Sequence, residues 1–299
     1  MKVGILGGGA WGQALGRLVI AAGHEPYIAY RDHKPPHLLP STNDPPKVSE
    51  ACDLLIAAVS AGELQSAIGM ARPGPRNRVV VAGRGLDPGS GHWLTDVVEN
   101  TSDVVRTGAL AGPAPTHEIL NGALCAGVVA SPYDDVRAML TEALHSSRYR
   151  VYESQDRVGV QLAGAVIPVL ATLMGLAQNL RGAGVGVHAL VLTRGLAEAS
   201  RLASAVGADP VTFSGLAGVG DLVAAQAQPG HRYYEAGKAL ASGNTSAGPA
   251  DVARALVALG RRHGADLPLT EGLVALYDGM DPVMVVQQLM ARPATAESH

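Results

Sequence analysis

The chain has 299 residues, enough for two domains at about 100–200 residues each, with cores that need no disulfide or metal staple. Hydrophobic residues make up 47% and charged residues only 16%, which excludes a disordered chain and means a surface either small relative to the core or partly covered by another subunit, with a homodimer expected. Lys+Arg 23 against Asp+Glu 26 leaves a net charge of −3, so there is no basic field for nucleic acid.

The opening MKVGILGGG carries too short an apolar run for a secretory signal and reads instead as a first strand, Val3–Leu6. Further buried strands are expected at Pro26–Tyr30, Leu54–Val59, Val79–Ala82, Gly108–Ala111 and Leu124–Ala130, with a last edge strand at Arg148–Glu153. Between them, Ala10–Ala22, Glu63–Met70 and Tyr133–His145 show helical spacing of apolar residues. Strands alternating with helices predict an α/β, Rossmann-type, doubly wound and mainly parallel sheet. Beyond Asp156 long Ala/Leu/Val segments broken by Gly-rich turns predict an all-helical domain, so the expected division is 1–155 and 156–299, with a frayed tail over Ala294–His299. Val158–Ala177 is long and apolar enough to span a membrane. Its internal Pro168 and the lack of a flanking aromatic belt favour a helix buried in the core instead. Cys52 and Cys125 lie far apart in apolar runs and read as buried thiols of a cytoplasmic protein.

Gly7-Gly8-Gly9-Ala10-Trp11-Gly12 fits G-x-G-x-x-G directly after the first strand and at the start of the first helix. Gly7 suits the tight turn, Gly9 a close approach of a pyrophosphate to the backbone, and Gly12 helix–strand packing. The pattern predicts NAD or NADP at the helix N-terminus. After the second strand, Arg31-Asp32 stands where the ribose is recognised. Arg31 reads either as a holder of a 2′-phosphate or adenine, or as half of a solvated ion pair.

The segments GILGGGAWGQALG, VVVAGRGLDP, LAGPAPTHEI, RYRVYESQDRVGVQLAGAV, LTRGLAE, GADPVTFSGLAGVGDLV and LPLTEGL follow one another along nearly the whole chain. Together they resemble the bacterial NAD(P)-dependent glycerol-3-phosphate dehydrogenases. The resemblance implies interconversion of dihydroxyacetone phosphate and sn-glycerol 3-phosphate in a cleft between a Rossmann domain and a helical domain. It implies a cofactor site of Gly7, Gly9, Ala10, Trp11, Gly12, Arg31, Val59, Arg84, Thr116 and Arg232. It further implies a substrate site of Gly112, Arg84, Asp221, Arg232 and Tyr233.

The same resemblance exposes departures. Arg84 stands where the family has a lysine in its K-G-L motif, and Ile167-Pro168 where it has the lysine and asparagine of G-V-Q-L-G-G-A-x-K-N. The family's S-G-P-S/T-F-A loop is 111–116 here, without a hydroxyl at Ala114. Its S-R-N motif is His231-Arg232-Tyr233, and its V-E-G segment falls near Ala247-Gly248 with no Glu. Isoleucine can neither donate a proton nor stabilise an oxyanion, so slow turnover is expected unless another group substitutes; the alternatives are a paralogue with a changed substrate and a catalytically inactive dinucleotide-binding protein. Asp221, Arg84 and His231 are the catalytic candidates, with His117 and Tyr233 as further proton donors. Each histidine also admits a surface or packing role. His24, His33, His37, His92, His145, His188, His263 and His299 show no metal-ligand spacing, so no metal site is expected.

Overall fold

Strand β1 (Lys2–Leu6) is buried on both faces from Val3 onward, as a continuous apolar run at the centre of a parallel sheet must be. The computed structural model describes residues 1–292 apart from 33, 37, 38, 114 and 181. Ala114, His33, His37, His299 and the tail 294–299 therefore lie outside the described residues.

Around β1 are β2 (Glu25–Ala29), β3 (Ser41–Thr42), β4 (Leu54–Ala57), β5 (Arg78–Val81), β6 (Arg106–Ala111), β7 (Cys125–Ala130) and β8 (Tyr149–Ser154). They form one eight-stranded sheet ordered β3-β2-β1-β4-β5-β6-β7-β8. All neighbours are parallel except β6 and β7, which pair antiparallel. The expected edge strand is β8; β3, only two residues long, carries too little pattern to be read from sequence.

Side-chain alternation splits the sheet's two faces cleanly. Ile5, Ile28, Leu54, Ile56, Val80 and Leu110 point to one core with helices α1 (Ala10–Ala21), α5 (Thr116–Leu120) and α6 (Asp134–Leu144). Leu55, Ala57, Val79, Val81 and Ala109 point to the other, covered by α2 (Pro45–Ala51), α3 (Leu64–Ala71), α4 (Leu94–Thr101) and α7 (Arg157–Asn179).

Beyond the sheet the chain is helical: α7, α8 (Val185–Ala205), α9 (Asp221–Ala227), α10 (Arg232–Leu240), α11 (Ala250–His263), α12 (Pro268–Tyr277) and α13 (Pro282–Met290). Helix α7 has the length and hydropathy of a membrane span, yet its apolar stretch is wholly buried. Asp156 starts it, accepting from the Gly159 N–H at 2.8 Å, from the Asp209 N–H at 3.1 Å and from the Thr212 hydroxyl. Its first turns are tied to the sheet side by Arg157–Glu99 at 2.6 Å and by Gln161 on Thr95 at 3.1 Å. Its later turns cross α10 at glycine contacts, where a Cβ at Gly175 would strike the Tyr234 carbonyl and one at Gly237 the Thr172 carbonyl. Pro168 sits midway and cannot donate to the Gly164 carbonyl.

A carboxylate inside the helical region went unassigned in the sequence. Glu198 on α8 is 3% exposed and accepts from the Leu269 and Thr270 N–H groups and the Thr270 hydroxyl, capping α12 from outside. Burial pushes its carboxyl up to about 7. The cysteines differ from expectation: Cys52 is buried, but Cys125, at the start of β7, is only partly so.

Candidate active site

The C-terminal ends of β1, β4 and β5 meet where the strand order reverses, the position at which open α/β sheets bind ligands. Gly7 turns there with φ +122°, and a Cβ would press on the Ala58 carbonyl at 2.7 Å and Val59 at 3.1 Å. Gly12 leaves no space for a side chain against the Gly7 carbonyl. Gly9, the N-cap of α1, is different: a Cβ there would meet nothing within 4 Å. Gly9 and Ala10 are exposed, and no side chain caps the helix, so its first N–H groups face open space. This cradle fits a dinucleotide pyrophosphate. Trp11 crosses the sheet ends, its Nε1 donating to the Ala82 carbonyl at 2.9 Å, and holds the segment after β5 against the glycine loop.

That segment carries Arg84. Its guanidinium grips the Asp221 carboxylate with both Nη atoms, Nη2 to Oδ1 at 2.9 Å, and Nη2 also reaches the Gly112 carbonyl at 3.3 Å. The pair joins the end of β5, the loop after β6 and the start of α9. Gly112 sits at φ +113°, a backbone conformation that glycine tolerates. Asp221 is 3% exposed while the Arg84 side chain keeps 28% of its surface, so one cation edge remains open beside a buried carboxylate. Burial works against the charge on Arg84, and the Asp221 carboxylate more than restores it.

His231 precedes α10 and is half-buried; its Nδ1 is fully enclosed and has no hydrogen-bond partner. Burial first, then the Arg84 guanidinium and Arg232, push the ring below the usual histidine range, against the pull of Asp221. Its ring lies 5.8 Å from that of Tyr233. Arg232 stacks over the Tyr233 ring at 4.2 Å and donates to its hydroxyl. Arg84, Asp221, His231, Arg232 and Tyr233 thus converge, although 137 residues separate Arg84 from Asp221.

Other expected residues are not drawn in. His117 is exposed on α5 and its ring meets the Asn121 amide at 3.2 Å. Thr116 begins α5. Arg31 is exposed and held by Asp32 at 2.8 Å and by Glu63 at 3.0 Å, the second partner being unforeseen. Among the described residues no three His, Cys, Asp or Glu side chains are grouped to hold a metal ion.

Residues 29–137 match the profile described as the N-terminus of NAD-dependent glycerol-3-phosphate dehydrogenase, and residues 156–287 that of its C-terminus. The chain belongs to this family. It is 33% identical to the glycerol-3-phosphate dehydrogenase (NAD(P)+) of Streptomyces coelicolor, over 99% of this chain and 98% of that one. It is 34% identical to the enzyme so named from Nitratidesulfovibrio vulgaris, over 99% and 100%. The crystal structure of the Coxiella burnetii glycerol-3-phosphate dehydrogenase superposes with a TM-score of 0.87 at 26% identity, covering 97% of this chain and 99% of that chain. A ketopantoate reductase from Ralstonia eutropha shares the fold at a TM-score of 0.62.

Within this glycerol-3-phosphate dehydrogenase scaffold, the position that resemblance gives to a lysine is Ile167, 1% exposed. It lies one turn beyond Gly164, where a Cβ would sit 3.9 Å from the Arg84 Cα. Positions 164 and 167 share that face of α7.

Proposed function

We propose that this chain interconverts dihydroxyacetone phosphate and sn-glycerol 3-phosphate with NAD(H) or NADP(H), using a rebuilt proton-transfer group. The observation that carries the reading is the Arg84–Asp221 pair standing before the glycine cradle. In this proposal Gly7, Gly9, Ala10, Trp11, Gly12, Val59 and Thr116 line the cofactor side. Gly112, Arg84, Asp221, Arg232 and Tyr233 hold the substrate, with Arg232 toward its phosphate. A nicotinamide held there would supply the hydride chemistry at the carbonyl carbon, in either direction. Arg84 offers its open edge to the carbonyl oxygen as a fixed cation, because a guanidinium does not titrate usefully. His231 supplies the proton to that oxygen through Nε2, and the neutral ring takes it back when the alcohol is oxidised. Residues 1–155 form the cofactor part and 156–299 the substrate part. The low charge content and the exposed Val283, Met284 and Met290 of α13 support a homodimer, and the free cysteines support the cytoplasm.

Saturable oxidation of NADH or NADPH on addition of dihydroxyacetone phosphate tests the activity; a protein that binds the cofactor but never turns over this ketone overturns it. Turnover is expected to be slow, because one guanidinium serves where the family has two ammonium groups. Ile167→Lys with Pro168→Asn should then raise kcat by about tenfold or more, since a positioned acid contributes roughly 10²–10⁴-fold. An unchanged or lower rate in a folded double variant would show that nothing is missing at 167.

The pH profile tests His231. Reduction needs the imidazolium, so its kcat/KM falls as pH rises through a pKa that burial and Arg84 keep below the ordinary value of about 6.5. Oxidation needs the neutral ring and rises over the same interval. His231→Asn should flatten both limbs and lower kcat by about 10². Limbs that persist in the variant assign the proton elsewhere.

A further inference from the structure

Two residues beyond the end of β2, Arg31 is held from both sides. Its Nε donates to Asp32 at 2.8 Å and its Nη1 to Glu63 at 3.0 Å, while the second Glu63 oxygen accepts from the Ser60 hydroxyl at 3.2 Å. Glu63 ends the short 3-10 turn after β4. Strands β2 and β4 are the two neighbours of β1, so the Arg31–Glu63 contact spans the end of β1, beside the glycine loop. In a Rossmann sheet the adenosine ribose lies there, past the end of the second strand.

We propose that Asp32 and Glu63 make this site select NADH against NADPH by occupying Arg31, a cation that would serve a 2′-phosphate. The inference rests on the dinucleotide reading of the glycine cradle and adds the discrimination at its adenosine end. Arg31 and its two carboxylate partners together carry a net −1 before any ligand arrives. A 2′-hydroxyl suits that group, since a carboxylate accepts its proton without loss of charge balance. A phosphate monoester brings about −1.5 to −2 at neutral pH and must either face both carboxylates or take Arg31 from them. If it takes Arg31, the two released carboxylates stand beside it. The three side chains are 67%, 63% and 49% exposed, so each ion pair alone is weak and their summed charge decides.

Calorimetric titration of the full-length protein with NADH and with NADPH tests this. Wild type should bind NADH about tenfold or more tighter at low salt, and the ratio should shrink in about 0.5 M salt, where screening reaches below roughly 5 Å. Glu63→Gln should tighten NADPH by about five- to tenfold and move NADH less than about twofold, because only one ligand carries the extra charge. The gain should vanish in Glu63→Gln with Arg31→Ala, since the freed guanidinium is its source. Equal or tighter NADPH binding by wild type, an equal change for both cofactors, or a gain that survives loss of Arg31 would overturn the proposal. Absence of any NADH binding would instead overturn the dinucleotide reading beneath it.

Discussion

A valine at position 9 should abolish dinucleotide binding and leave the protein folded. Gly9 has φ −68° and ψ −179°, a conformation open to any L-residue, and its Cβ direction meets nothing within 4 Å. The folding cost is limited to the poorer N-cap, about 1 kcal/mol or less. The ligand, by contrast, loses the approach to the first N–H groups of α1. Hydrogen bonds to a charged group are worth about 1.5–3 kcal/mol each, so losing two weakens NADH by roughly 10²–10⁴-fold. Calorimetric titration beside a thermal melt separates the effects. Gly12→Ala is the contrasting control, because its Cβ has nowhere to go against the Gly7 carbonyl and the melt itself should fall. Glycine-9 variants that keep NADH affinity within tenfold would remove the pyrophosphate from this loop.

The second large effect is at Arg84. Arg84→Met should lower kcat/KM for dihydroxyacetone phosphate by about 10³, the scale of a lost oxyanion-stabilising group together with lost substrate binding. It should also destabilise the protein by about 3–5 kcal/mol, because Asp221 then stays buried without a cation. The two losses can be told apart. Adding Asp221→Leu removes the stranded carboxylate and should restore much of the melting temperature, with kcat/KM no higher than in Arg84→Met alone. Arg84→Lys keeps the charge but not the two-pronged grip and should fall between. Turnover within tenfold of wild type in a folded Arg84→Met protein would take Arg84 out of the reaction.

The sheet was largely legible because most of its strands are continuous apolar runs, three of them followed by a helical pattern. The antiparallel turn of β7 was not, since strand direction depends on the chain path and not on the residues of the strand. Helices α2, α4 and α5 are only 7, 8 and 5 residues long, too short for a clear period, and α2 opens with two prolines. In the candidate site, the glycine loop was readable because backbone geometry dictates its residues. Asp221 and Arg84 were each placed by resemblance, but their pairing belongs to the tertiary fold. Glu63 looked like the exposed start of a helix, and only the adjacency of β2 and β4 across β1 brings it to Arg31. His117 lies close to Gly112 in sequence, and its exposed place on α5 agrees with the surface role the sequence also allowed it.

Helix α7 has a mechanical role as well as a packing one. It is clamped to the sheet side at its start through Arg157 and Gln161, and locked against α10 further along at Gly175 and Gly237. It therefore acts as a beam fixed at both ends beneath the cleft. A beam with one rung removed yields at that place, and here the gap lies at Pro168, between the two clamps. That gap is next to Ile167 and one turn from Gly164, whose Cβ direction meets the Arg84 backbone. Replacing Pro168 would therefore restore the missing rung as well as change what this wall carries.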